Sequence, residues 1–209
     1  QRVGPTVQVQ RLAVHPYVAQ YGMDPADGSL LLMQYEPGAV YRLATGSSTQ
    51  AFPAKLSDTG VFADLTDLAP NPGIVPYELN LPFWSDYAVK RRWFGLTNLV
   101  DGIGYHREDP WNSPTGMLWV KHFDLDLDRG NTNTRKRIET RLLVRGTNGS
   151  YGVSYRWNEA GTEAFLVPDQ GENIPLSVTN AGLPGVQQWR IPGRAECIVC
   201  HRAGGGHAL

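Results

Sequence analysis

Arg137-Ile138-Glu139-Thr140-Arg141-Leu142-Leu143-Val144 decides the fold class. Ile138, Thr140, Leu142 and Val144 fall on one side of an extended chain, opposite Arg137, Glu139 and Arg141, with Arg145 continuing the charged row. A period of two is the signature of a sheet strand with one apolar face. The same period runs upstream, where Met117, Trp119, Lys121 and Phe123 oppose Leu118, Val120 and His122. It runs downstream through Tyr151, Val153, Tyr155 and Trp157, and Asn148-Gly149 predicts a hairpin turn before that last run. Shorter strands are predicted at 163–167, 176–179 and 186–191. Short strands at regular spacing, separated by turn residues, predict a mainly β fold: an antiparallel β-sandwich or a partly open barrel. Residues from 195 onward are expected as a short C-terminal helical turn at its edge.

Further upstream, Ser85-Asp86 reads as an N-cap pair and predicts a short helix over 87–93 carrying Lys90, Arg91 and Arg92. Residues 101–115, with His106 and Trp111, read as a long loop. Near the start, Val3, Val7 and Val9 alternate only weakly, whereas 27–43 reads as a hairpin of two strands joined by Pro37-Gly38. The stretch 45–50 is polar, and 52–76 holds four prolines among turn signals. The expected division is an N-terminal hairpin segment 1–50, a Pro-rich linker 51–76 and a β-rich domain 77–209.

Composition narrows the function classes. The 209 residues are 41% apolar and 19% charged with a net charge of -1, an ordinary globular balance with no general pull toward nucleic acid or an anionic bilayer. No apolar run approaches the ~18 residues of a spanning helix. The chain opens at Gln1 without a start methionine or leader pattern, so a mature or clipped product is expected, its export signal, if it had one, removed. A nucleophile elbow, a phosphate loop and a dinucleotide fingerprint are all missing, which weakens a hydrolase or dehydrogenase reading.

Both cysteines lie in Cys197-Ile198-Val199-Cys200-His201, the spacing at which haem is attached covalently. Two thiols three positions apart reach the two haem vinyl groups, and the adjacent imidazole is left as proximal iron ligand. Two rivals use the same residues. Cys197, Cys200, His201 and His207 form a zinc-type donor set, although four ligands within eleven residues crowd a tetrahedron. A redox-active dithiol or disulfide is the other, but it wants a βαβ setting that this pattern lacks. For the distal iron position His122 is the first candidate, with Met117 and His207 as alternatives and His15, His106, Met23 and Met33 behind them. His122 competes with the reading of a satisfied core histidine, and Met117 with ordinary packing.

Two charged features need a reading. Arg135-Lys136-Arg137, Arg141 and Arg145, together with Lys90-Arg91-Arg92, either form a solvated face with Glu139 interleaved or neutralise haem propionates and dock an acidic redox partner. Asp124, Asp126 and Asp128 alternate like the start of a calcium loop. Gly130 falls one place late and Arg135 occupies the glutamate position, so calcium is the lesser reading there.

The chain from residue 77 onward resembles an uncharacterised bacterial exported family with a C-terminal Cys-Xaa-Xaa-Cys-His motif. The resemblance rests on Leu81-Pro82-Phe83-Trp84-Ser85-Asp86 with Lys90 and Arg92-Trp93, on Val120-Lys121-His122-Phe123, and on the run 137–144 quoted above. It rests also on Tyr155-Arg156-Trp157-Asn158 and on Pro192-Gly193-Arg194-Ala195-Glu196 leading into Cys197. It implies export to the periplasm or beyond and a haem-type motif. In that family the region often follows a glucose/sorbosone-dehydrogenase-like β-propeller, which makes the hairpin at 27–43 resemble part of a last blade. The function expected is a c-type cytochrome moving single electrons, as a subunit or domain of a larger redox assembly, more an electron carrier than a catalyst. The alternative is a non-enzymatic structural or interaction subunit of a surface or membrane-associated complex, its Cys-Xaa-Xaa-Cys-His segment a zinc site or disulfide.

Overall fold

The computed structural model describes residues 2–3, 6–7, 17–36, 38–43, 52–98, 100, 102–108, 111–146 and 149–200. The chain divides into two compact units, Gln1–Ala51 and Phe52–Leu209. In the first, β1 (Arg2–Val3) and β2 (Thr6–Val7) make a two-stranded ribbon, and β3 (Val18–Met23), β4 (Leu30–Gln34) and β5 (Ala39–Arg42) make an antiparallel meander. The expected hairpin is β4–β5, with Leu31 opposite Arg42 and Gln34 opposite Ala39. Arg42 ties the β3–β4 turn by pairing with Asp24 and Asp27. Tyr21, Met23, Met33, Tyr35 and Val40 of this unit are exposed.

The second unit contains β6 (Phe62–Asp64), β7 (Ala69–Pro70), β8 (Ile74–Pro76), β9 (Val89–Gly95), β10 (Leu118–Asp126) and β11 (Arg135–Gly146). These are followed by β12 (Gly149–Trp157), β13 (Ala164–Leu166), β14 (Glu172–Asn180), β15 (Leu183–Ile191) and the α-helix α1 (Arg194–Cys200). Its centre is a six-stranded antiparallel sheet in the order β13-β12-β11-β10-β9-β8. The three runs of period two are β10, β11 and β12, paired side by side with Val120 opposite Leu142 and Leu142 opposite Val153.

Alternation sends side chains of these strands to two faces, and each face is covered. Val120, Leu142, Val153, Tyr155 and Trp157 pack against Leu56, Val61, Phe62 and Leu68. The stretch 51–76 is therefore not a linker: its prolines and turns carry four apolar side chains, each at most 5% exposed, onto the sheet. The other face buries Phe123, Leu125 and Ile138 beneath Ile174, Leu176, Trp189 and Ile191 of the β14–β15 hairpin. That hairpin turns on Ala181 and Gly182, both at positive φ (49° and 78°), as tight two-residue turns require. The arrangement is sandwich-like, with no closed barrel among the described strands.

Two further differences from the sequence expectations have physical causes. Residues 87–93 do not form a helix; 89–95 is a strand hydrogen-bonded to β8 and β10, because burying Trp93 in the first core requires an extended chain. A bulge at Phe123/Asp124 leaves Ile138 without a partner and turns it into the second core, away from Thr140 and Leu142. No helix among the described residues is long and apolar enough to cross a membrane.

Candidate functional site

The chain leaves β15 through Pro192-Gly193 and enters α1, which lies on β12. Ser154 Oγ donates to Pro192 O (2.9 Å), and Glu196 accepts from Gly193 N (2.8 Å), fixing the entry to the helix. Cys197 lands on Gly152. A Cβ at residue 152 would sit 2.8 Å from Cys197 Cβ and 3.0 Å from Sγ, so only a bare Cα lets the helix approach the strand this closely. The helix separates residues 197 and 200 by roughly 5 Å along its axis, a little under one turn. Cys197 is buried (9% exposed), and burial pushes its thiol above the ordinary range despite the nearby Arg141 guanidinium and Ser154 hydroxyl. A reactive dithiol requires the opposite shift, so the geometry disfavours the redox-pair reading. His201 and His207 lie outside the described residues, as do the Cys200 side chain and His15.

Parity settles the distal candidates. Gly152 and Ser154 occupy one face of β12, and Val153, Tyr155 and Trp157 the other. His122 is opposite Thr140 and stands edge-on to Trp157 at 5.5 Å, so it belongs to the Trp157 face. Cys197 belongs to the Gly152 face. The sheet stands between them, and His122 is not a ligand for an iron held at Cys197 in this fold. Its ring is fully buried with both nitrogens occupied, Nδ1 by Thr140 Oγ1 (2.8 Å) and Nε2 by Asp124 Oδ1 (2.9 Å). Burial holds the imidazole below its ordinary pKa even though the Asp124 carboxylate opposes this. Neutral His122 must therefore donate from Nε2 to Asp124 and accept from the Thr140 hydroxyl, while Trp157 Nε1 donates to the same hydroxyl (3.0 Å). Every polar atom of this network has a partner, which makes it a structural core device.

Met117 is different. The ladder continues past β10 through Arg145 N donating to Met117 O (2.8 Å), so the alternation places Met117, 3% exposed, on the Cys197 face. Strand spacing of ~4.8 Å and a rise of ~3.4 Å per residue put its Cα roughly 12 Å from that of Gly152. His106, Met23 and Met33 are exposed and share no element with α1.

The charged residues also divide by face. Arg137 turns to the Trp157 side, where its guanidinium lies over the indole (4.7 Å) and donates to Leu65 O, Thr66 O and Gly161 O. Arg135 pairs with Asp126 (2.7 Å) and Lys136 with Glu159. The other side carries Arg92, Lys121 and Arg141 in direct register across β9, β10 and β11, with Ser154 next in the row. Glu139 is no solvated residue: it is fully buried and accepts two bonds from Arg141 (2.5 and 2.9 Å) and one from Trp189 Nε1 (3.0 Å). Lys121 has its ammonium 5.0 Å from the Phe123 ring, and burial together with Arg92, Arg141 and Lys90 pulls its pKa down to about 8. The sequence offered Arg92 and Arg141 for haem propionates or an acidic partner beside the reading of a solvated face, but Lys121 was not among them and the three were not joined into one row. Parity against the apolar partners of each strand was the available signal.

Neither a family model, nor a curated protein, nor a solved structure matches the chain. The site is therefore built from its own residues. Among the described residues no three His, Cys, Asp or Glu side chains converge as a metal site. Of the three calcium-type aspartates, Asp124 faces His122 and Arg91, Asp126 faces Arg135, and Asp128 accepts from Asn131 (3.3 Å). Two surface cavities of about 330 and 390 Å³ lie at the Trp157 end of β12 and share no residue with the cation row or with Cys197.

Proposed function

We propose that the chain is an exported c-type cytochrome unit that carries one covalent haem at the α1 edge of the central sheet and passes single electrons to a redox partner. The observation that carries this is Cys197 and Cys200 one helical turn apart on a helix docked over a glycine, with His201 next in sequence. Two thiols and an imidazole are the donor set that haem c takes, and the group supplies a one-electron iron couple. Cys197 and Cys200 would hold it through thioethers, a linkage that needs no outside oxidant. Because Cys197 is packed on Gly152, attachment requires α1 to be off the sheet and precedes its docking. His201 would supply the imidazole to the iron, and Met117 replaces His122 as the second candidate ligand within the described chain. Export and a position after a β-propeller remain part of this reading. The exposed Tyr21, Met23, Met33 and Tyr35 of the N-terminal meander support the second of these, since such side chains are usually covered in a larger assembly.

The test is an absorption spectrum of the dithionite-reduced chain, produced with haem-attachment machinery. A sharp c-type α band is expected, and its absence with both thiols free to alkylation sinks the reading. A second reading, a non-enzymatic interaction subunit, is favoured by Leu81, Phe83 and Trp84, which stand 78, 73 and 72% exposed in one loop. It predicts a stable complex with a partner subunit and no α band.

A further inference from the structure

Arg92, Lys121 and Arg141 stand directly opposite one another across three neighbouring strands. Like charges in such a row repel, and side-chain burial makes the repulsion stronger than at an open surface. Glu139 is the carboxylate that acts on Lys121, and its oxygens are already engaged by Arg141 and Trp189. Lys90, on the same face of β9, adds a fourth cation. Arg92 is 8% exposed, and its Nη2 is wholly buried with no hydrogen-bond partner. A guanidinium nitrogen buried and unpaired, inside a row of cations, is a costly arrangement that an anion would relieve.

We propose that Arg92, Lys121 and Arg141 form a binding site for an oxyanion, carboxylate or phosphate in chemistry. Arg92 supplies its unpartnered Nη2, Arg141 supplies the Nη1 edge left over by its paired contact with Glu139, and Lys121 supplies a point charge between them. The row is reached from solvent at Arg141, whose side chain is 32% exposed, and ends at the closed Arg92. Its Arg141 end pairs with Ser154, two residues along β12 from the Gly152 on which Cys197 rests. Two sources offer the same chemistry: the propionates of a haem held at Cys197 and Cys200, which rests on the reading above, or a free anion, which does not.

The experiment titrates inorganic phosphate, and separately succinate, by calorimetry into the haem-free Cys197→Ser/Cys200→Ser chain at pH 7 and low salt. One saturable site is expected for at least one probe, weakened at least tenfold in both Arg92→Met and Lys121→Met. Arg135→Gln, whose guanidinium is paired with Asp126, leaves it unchanged. Without ligand both methionine variants should unfold at a temperature higher by roughly 2–5 °C, since a repelling or unpaired cation has been removed. A gain of stability with a loss of binding separates a ligand site from a structural role. No saturable binding of either probe, or full affinity in both methionine variants, overturns the proposal. Lys121→Met alone suffices if Arg92→Met does not fold. In the haem-loaded chain, loss of phosphate binding assigns the row to the propionates and retention assigns it to a free anion. A chain that takes up no haem defeats the cytochrome reading and leaves the titration standing.

Discussion

On one face of β10, His122 is fully buried and both ring nitrogens have partners; on the other, Lys121, one residue away, lies between two arginines. Both side chains are lowered in pKa by burial, yet for different ends. The His122 side closes its polar groups on themselves through Thr140, Asp124 and Trp157 and becomes part of a core. The Lys121 side has three cations in its row against the single carboxylate of Glu139, an excess of positive charge beside Cys197. A sheet that satisfies one face and leaves the other wanting an anion locates its chemistry on the second.

The largest disturbance is expected from Glu139→Gln. It removes the buried carboxylate that holds Arg141 and Trp189, leaves the cation row with no counter-charge, and should cost about 3 kcal/mol in urea unfolding. Thr140→Val breaks the opposite face. Trp157 Nε1 loses its acceptor and His122 Nδ1 its donor, for a loss of about 2 kcal/mol, with no change in phosphate binding on the other side of the sheet. Lys121→Met works in the reverse direction and should add about 1 kcal/mol at pH 7, a figure discounted for the partial exposure of the head group. The unfolded lysine keeps its proton between pH ~8 and ~10.5, so the parent gains stability across that window and the advantage of the variant fades there.

The finest probe is pH on the His122 side. Folded His122 titrates below the ordinary imidazole value, so between the two values the unfolded chain binds the extra proton and stability falls as pH drops below about 6.5. Asp124 acts in the same sense lower down. Burial raises its carboxyl, but the His122 hydrogen bond, with the charges of Arg91 and Arg137, outweighs this and holds it below the usual range. Its contribution is present above pH ~3.9 and lost as pH falls through the folded value. Urea midpoints at pH 7.5 and 5 should differ in the parent and converge in His122→Asn; equal slopes in both chains would remove His122 as the cause.

The strands β10, β11 and β12 were legible because their alternation is strict, and the assignment of His122 to the side of Leu118 and Val120 was legible with them. Which side α1 would take was not, since it depends on Gly152 making room for Cys197, a fact of tertiary approach rather than of period. Strand β9 was misread because Ser85-Asp86 imitates a helix cap and three consecutive cations imitate a solvated helix face. Trp93 in the core overrides both. Residues 52–76 were misread for the converse reason. Leu56, Val61, Phe62 and Leu68 are spaced by turns and match neither period, although together they pack on one face of the sheet.

The central claim is that this face carries haem through Cys197 and Cys200. The intact mass of the chain, produced in an exporting cell with haem-attachment machinery and measured under denaturing conditions, tests it most directly. A mass greater than that of the polypeptide by one haem, reduced to the bare polypeptide in Cys197→Ser/Cys200→Ser, is predicted. A parent chain with the bare mass, recovered from cells whose own cytochromes are fully loaded, would contradict it.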